Sequence, residues 1–220
     1  MSTAGSRWKN VALESKHDDG ALDEKRIVSA AGHLMETGGL ECVTMRRVAA
    51  ELGVSPMGLY HHVPDKRALL ALVADAVIGA VDYPGPEVGP WYERIRQGAL
   101  AVHREVSRYP GLGLYIFGPS GFYPTYPRGA RKIQAVLEIL TTAGFDEIES
   151  VSAIHLLSAY EGGWYLMEQG PGRAEGKKDA AETKGSETEH AQPRFEPGLD
   201  IIIAGLRAQL AAKQVLIRPA

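Results

Sequence analysis

Cysteine occurs once in 220 residues, as Cys42, so no internal disulfide framework holds the chain and a reducing compartment suits it. Within "LECVT" a single thiol among apolar neighbours reads as a small core residue. Long apolar runs are also missing. The longest, "LLALVADAVIGAV", contains Asp75 and is too short and too polar to span a bilayer. The first twenty residues hold no apolar stretch of the kind that opens a secretory signal, so a cytoplasmic protein with no membrane partner is expected. Charge of one sign is scarce as well: 24 basic against 27 acidic side chains leave a net charge of −3. No global field draws the chain to nucleic acid, and any such binding must come from a local cluster.

Catalytic signatures are equally scarce. "GLGLYI" from Gly111 lacks the third glycine and the preceding strand of a dinucleotide loop, and there is no nucleophile elbow, P-loop or Cys/His ligand spacing. His103 with Glu105 or Glu161 makes no distinctive grouping. The expectation is a chain that is not an enzyme and has no cofactor and no metal site.

What is present is helical periodicity. Residues 1–21 mix Arg7, Lys9, Lys16, Asp18 and Asp19 without a period, which predicts a flexible tail, a basic arm through Arg7 and Lys9 being the alternative. From Asp23 the pattern changes: Ile27, Ala30, Ala31, Leu34 and Met35 line one face of a helix capped by Asp23 and stopped by Gly38 and Gly39. Then "VTMRRVAAELGVSPMGLYHHVPDKRALL" stops and restarts a helix repeatedly. Thr44 caps a short helix with Val48, Ala49 and Leu52 inward, and Gly53 ends it. Ser55 and Pro56 start a second one running to His62, Val63 and Pro64 break it, and Asp65 caps a long helix reaching about Val81. Two short helices across a glycine turn, after a longer one, form a helix-turn-helix.

Further helices are predicted from Trp91 to about Arg108, from about Arg128 to Ala143, from Asp146 to Glu168 and from about Pro197 to Lys213. Between the first two, "YPGLGLYIFGPSGFYPTYP" is aromatic and full of breakers, which suits a short turn or helix folded over a cavity. Residues 170–197 are charged and poor in large apolar side chains, so a flexible loop is expected there. The fold class is all-α: a helix-turn-helix domain over 22–68, then a helical effector-binding and dimerisation domain over 69–220.

A recognition helix in a major groove would present Pro56, Met57, Gly58, Tyr60, His61 and His62. Gly58 is an expensive residue inside a helix, and two explanations stay open: close approach of the backbone to DNA, or a tight packing contact. For Tyr60 a part-buried aromatic corner is the competing reading. Arg46 can fork onto a guanine, and Lys66 at a helix N-terminus suits a phosphate. Six basic and six acidic side chains between 22 and 70 make the module locally neutral, so affinity must come from placement.

The same stretch resembles the DNA-binding signature of the TetR (tetracycline repressor) family across about residues 22–72: threonine, arginine, alanine, Leu-Gly-Val, a small residue before Leu-Tyr, a histidine, Asp-Lys and a leucine pair. The resemblance implies that Thr44, Arg46, Met57, Gly58, Tyr60, His61, His62 and Lys66 touch operator DNA. Pro56 stands where some members carry a base-reading polar side chain. More weakly, "IQAVLEILTTAGFDEIESVSAIHLLSAYEGGWYLMEQ", a charged loop and "FEPGLDIIIAGLRAQL" are similar to the tetracycline-repressor order of effector helices, loop and dimer helix. Where those repressors place a histidine on a drug-bound magnesium, Tyr115 stands here, so tetracycline does not carry over as the ligand. The residues expected around an apolar or planar effector are Val102, His103, Tyr115, Phe117, Tyr123, Val136, Leu140, His155, Tyr160 and Trp164, with Phe122 in the same aromatic group. The sequence therefore predicts a homodimeric repressor that binds a near-palindromic double-stranded operator and is released by a small molecule. An activator, or a ligand sensor with weak DNA binding, is the alternative.

Overall fold

Side-chain oxygens decide where the first helices begin. In the computed structural model, which describes residues 22–118, 127–169 and 194–217, Asp23 accepts the Arg26 amide at 2.8 Å and opens α1, Glu24–Gly38. Thr44 accepts the Arg47 amide at 3.2 Å at the head of α2, Met45–Leu52. Ser55 accepts the Gly58 amide at 3.1 Å at the head of α3, Pro56–Tyr60. Asp65 accepts the Ala68 amide at 2.8 Å and opens α4, Lys66–Gly79. All four are the caps expected from the sequence. Gly53 ends α2 in the left-handed region, at φ 68°. α3 stops two residues short of the expected His62, because Pro64 forces Val63 out of the helical region and the chain tightens into a turn, with His62 N–H donating to the Leu59 carbonyl at 3.0 Å.

The other helices are α5, Trp91–Val106; α6, Leu112–Phe117; α7, Pro127–Ala143; α8, Glu147–Gln169; and α9, Phe195–Ile217. No strand occurs among the described residues. The isoleucine run Ile201 to Ile203 lies in α9 with the middle residue half-buried, Ile203 buried and Ile201 74% exposed, a helical rather than a strand pattern. α9 begins before Pro197, which the first helical turn accommodates because its amides have no intrahelical partner. The predicted tail 1–21, most of the loop 170–197, Phe122 and Tyr123 lie outside the described residues. No helix among the described residues is long and apolar enough to cross a membrane.

Two apolar clusters organise the packing. The first joins α1 to α4 with Val102, Val106, Leu112, Ile116 and Tyr165 from later helices and Tyr109 from the turn between α5 and α6. The second lies among α5, α7, α8 and α9 around Ile95, Leu140, Trp164 and Leu199. α4 belongs to both halves, packing on α1 at one side and on α5 and α7 at the other. Three polar links reinforce the joint: the buried Asp75 carboxylate accepts the Gly129 amide at 2.7 Å, the Leu40 amide donates to the Pro110 carbonyl at 2.8 Å, and Arg108 donates to Glu36 at 2.9 Å. α6 lies so close to α8 that a Cβ on Gly113 would strike the Tyr165 ring and one on Gly162 the Phe117 carbonyl.

Candidate functional site

The helix-turn-helix sorts its side chains cleanly. Val43, Val48, Ala49, Leu59 and Val63 are essentially inaccessible and fix the angle between α2 and α3. On the outer side Arg46, His61 and His62 are exposed, Met57 is 68% exposed and Tyr60 46%. Tyr60 thus gives about half of its surface to solvent, partly covered yet reachable from outside. Lys66 is half-buried at the first turn of α4, beside amides that Asp65 caps. Thr44 accepts the Arg47 amide, and its hydroxyl proton can still be donated outward. The eight residues expected at DNA therefore come from the start and first turn of α2, from α3, from the turn after it, which holds His61 and His62, and from the start of α4. Among the described residues nothing requires glycine at 58: an added Cβ would meet only Ser55 Oγ, at 3.5 Å.

Beneath the second half lies a cavity of about 490 Å³, within the range of small-molecule sites. α4 gives Ile78, α5 Ala99 and Val102, α6 Ile116 and Phe117, α7 Gly129, Lys132, Ile133, Val136 and Leu137, α8 Val151, Ile154, His155 and the run from Leu157 to Glu161, and α9 Phe195 and Leu199. Tyr83, between α4 and α5, completes the wall. Most of this surface is apolar. Of the expected effector residues, Val102, Phe117, Val136, His155 and Tyr160 line it. The remaining four described ones stand apart from the wall. Tyr115 turns its hydroxyl to the Arg67 carbonyl, at 3.4 Å, and ties α6 to α4. Leu140 is wholly buried in the second cluster, and Trp164 packs edge-on to Phe195 at 5.6 Å between ring centres. His103 is stacked flat on Phe195, at 3.8 Å, behind the wall.

What holds His103 there is Glu161, whose Oε2 lies 3.2 Å from His103 Nδ1. With the Nδ1 proton directed to that carboxylate, the Tyr165 hydroxyl donates to the His103 carbonyl at 3.2 Å. Glu161 is 5% exposed, and its Oε1 is buried without a hydrogen-bond partner among the described residues. Burial pushes its carboxyl above the usual glutamate value, and the His103 hydrogen bond and charge pull the other way. Burial also raises the Tyr83 and Tyr165 phenols, with the Glu161 charge adding to both. Glu161 was absent from the expected lining. Its spacing, seven after Ile154 and four after Leu157, places it on the inner face of α8 and was the available signal. Among the described residues no three His, Cys, Asp or Glu side chains gather as a metal site.

Comparison with known proteins agrees with this arrangement. Residues 27–73 match the family described as bacterial regulatory proteins, tetR family. The chain is 33% identical over 162 residues to the HTH-type transcriptional repressor DrrR1 of Streptomyces coeruleorubidus, an alignment that takes in 70% of this chain and 56% of that repressor's length. It is 26% identical over 204 residues to the class D tetracycline repressor protein of Escherichia coli, covering 87% of this chain and 92% of that one. Apo ActR from Streptomyces coelicolor superposes with a TM-score of 0.71 at 26% identity, covering 87% of this chain and 98% of ActR, and ActR has also been solved in complex with actinorhodin. A helix-turn-helix carried on this helical bundle, with relatives that extend across most of its length, places the chain in the TetR family of transcriptional regulators.

Proposed function

We propose that this protein is a repressor that binds a near-palindromic operator as a homodimer through α2 and α3, and releases it when a small, mainly apolar molecule fills the cavity. The observation that carries the proposal is the double membership of α4: its first residue, Lys66, stands beside the reading surface, and Ile78 near its other end lines the cavity. A ligand pressing on Ile78 and Gly129 acts on the helix that carries Lys66 and packs on α1. Division into a reading head over 22–68 and an effector and dimerisation part over 69–220 belongs to the same proposal. Relatives support it in kind: DrrR1 and the class D protein are named repressors, and ActR binds a small molecule in its actinorhodin complex.

Dimerisation is supported by the outer faces of α8 and α9. Ile148 is 80% exposed, Leu166 57%, Met167 60% and Ile201 74%, more apolar surface than a solitary helix pair normally leaves in water. Pairing these faces through a two-fold axis would set the two α3 helices one turn of DNA apart, about 34–36 Å.

The test is fluorescence anisotropy of the full chain on DNA from its own upstream region, at two salt concentrations, with unrelated DNA as competitor. Saturable, competitor-resistant binding by two protomers per site is expected. Arg46→Ala should lose about 1–3 kcal/mol of discrimination, and Lys66→Ala should lower the salt slope by about 1. Unchanged binding by both variants would remove α2 and the start of α4 from the interface.

A further inference from the structure

We propose that the ligand of this cavity is an apolar molecule carrying an amine, and that Glu161 is the residue that selects it; the proposal rests on reading the cavity as the effector site. Glu161 is the only acidic residue of the cavity wall among the described residues, set in an otherwise mainly apolar lining. Its two oxygens are unequal. Oε2 is engaged by His103, whereas Oε1 is buried with no partner among the described residues. A buried carboxylate oxygen without a donor is costly, and a ligand that brings an N–H to it removes that cost.

Two other polar groups of the wall are already committed. The Tyr160 hydroxyl donates to the Phe195 carbonyl at 2.7 Å, and the Lys132 ammonium is held by Asp82 at 2.8 Å. His103 cannot take over at Oε1 while it is stacked flat on Phe195 and bonded to Oε2. An ammonium gains twice at this position, from the hydrogen bond and from the opposite charge in a setting of low polarity. A carboxylate ligand would place a second negative charge beside the first. Burial holds the Glu161 carboxyl above its ordinary value, and an arriving cation pulls it back down, so amine binding favours the ionised acid.

Three probes that share one flat ring system isolate the effect: anthracen-9-ylmethanamine, anthracen-9-ylmethanol and anthracene-9-carboxylate. Each is titrated into the full-length protein and read by energy transfer from tryptophan to anthracene. The amine should bind about tenfold or more tightly than the carboxylate, with the alcohol between them. Glu161→Gln should bring amine and carboxylate to within about threefold of each other, leaving the alcohol near its wild-type affinity. Alcohol binding without an amine preference in the wild type, or a preference that persists in Glu161→Gln, overturns the assignment to Glu161 and leaves the cavity as the effector site. Failure of all three probes to bind overturns both. Should Glu161→Gln fail to fold, the wild-type ranking decides alone: amine first supports the proposal, and no ranking overturns it.

Discussion

Gly58 sits in the middle of a five-residue helix, where alanine would be more favourable by roughly 1 kcal/mol. No neighbour among the described residues explains the choice, since the nearest atom to an added Cβ is Ser55 Oγ at 3.5 Å. The packing alternative raised by the sequence therefore has no contact behind it among the described residues, and the proposed close approach of DNA is the reading to test. Gly58→Ala should accordingly raise the stability of the free protein by about 0.5–1 kcal/mol while weakening operator binding. Denaturant unfolding and anisotropy, run on one preparation, check both halves; a stabilised variant with undiminished binding would show that DNA does not come close at residue 58. Glu161 gives a pH-dependent counterpart. Its carboxyl is raised by burial in the folded chain. The folded state thus binds the proton more readily than the unfolded one, and the contribution is fully present below the unfolded value and is lost as pH rises through the folded one. Glu161→Gln keeps the shape and removes the charge, so its stability relative to wild type should improve as pH goes from about 4 toward neutrality. Thermal melts at the two ends measure this, and a constant difference would show that ionisation of Glu161 carries no burial cost.

At the scale of elements the critical piece is α4 with its joint to α7. Asp75, 4% exposed, accepts the Gly129 amide at 2.7 Å, and a Cβ on Gly79 would run into the Arg128 side chain, so the two helices meet at close range. Asp75→Ala leaves a buried amide without an acceptor and should cost about 1–3 kcal/mol, whereas Asp75→Asn retains an acceptor oxygen and should cost less. Unfolding midpoints of the two variants compare directly, and equal losses would mean that the hydrogen bond is not what Asp75 supplies. The sequence made the element boundaries legible because capping is local: Asp23, Thr44, Ser55 and Asp65 each bond an amide three residues on. The exposed face proposed to read DNA could be located for the same reason, since it lies within one short stretch. The cavity was not. Its wall is made of the same residue types as the core, so periodicity alone cannot separate Val136, on the wall, from Leu140, one turn further along the same helix and fully buried. The His103 and Glu161 contact spans 58 positions, a separation that no spacing rule reaches.

For the whole molecule, the proposed mechanism needs two chains, because one short reading helix in a locally neutral module offers little affinity alone and a two-fold pair doubles the contacts made at one site. The exposed apolar faces of α8 and α9 are the available surface for that pairing, while ion pairs such as Arg96 with Asp200 at 2.6 Å and Lys213 with Glu149 at 2.6 Å hold α9 to α5 and α8 within one chain. Leu166 and Ile201 lie outside both apolar clusters, so charging them should leave the protomer folded. The double variant Leu166→Glu, Ile201→Glu should sediment as a monomer with an unchanged helical signal. Operator affinity should fall far more than with either reading-head variant, since only one half-site can be held at a time. The anthracene probes should still bind to whatever extent one chain forms the cavity, which separates loss of pairing from loss of fold. A double variant that remains a dimer and still holds its operator would assign these faces to some other contact and would require the protomers to meet elsewhere.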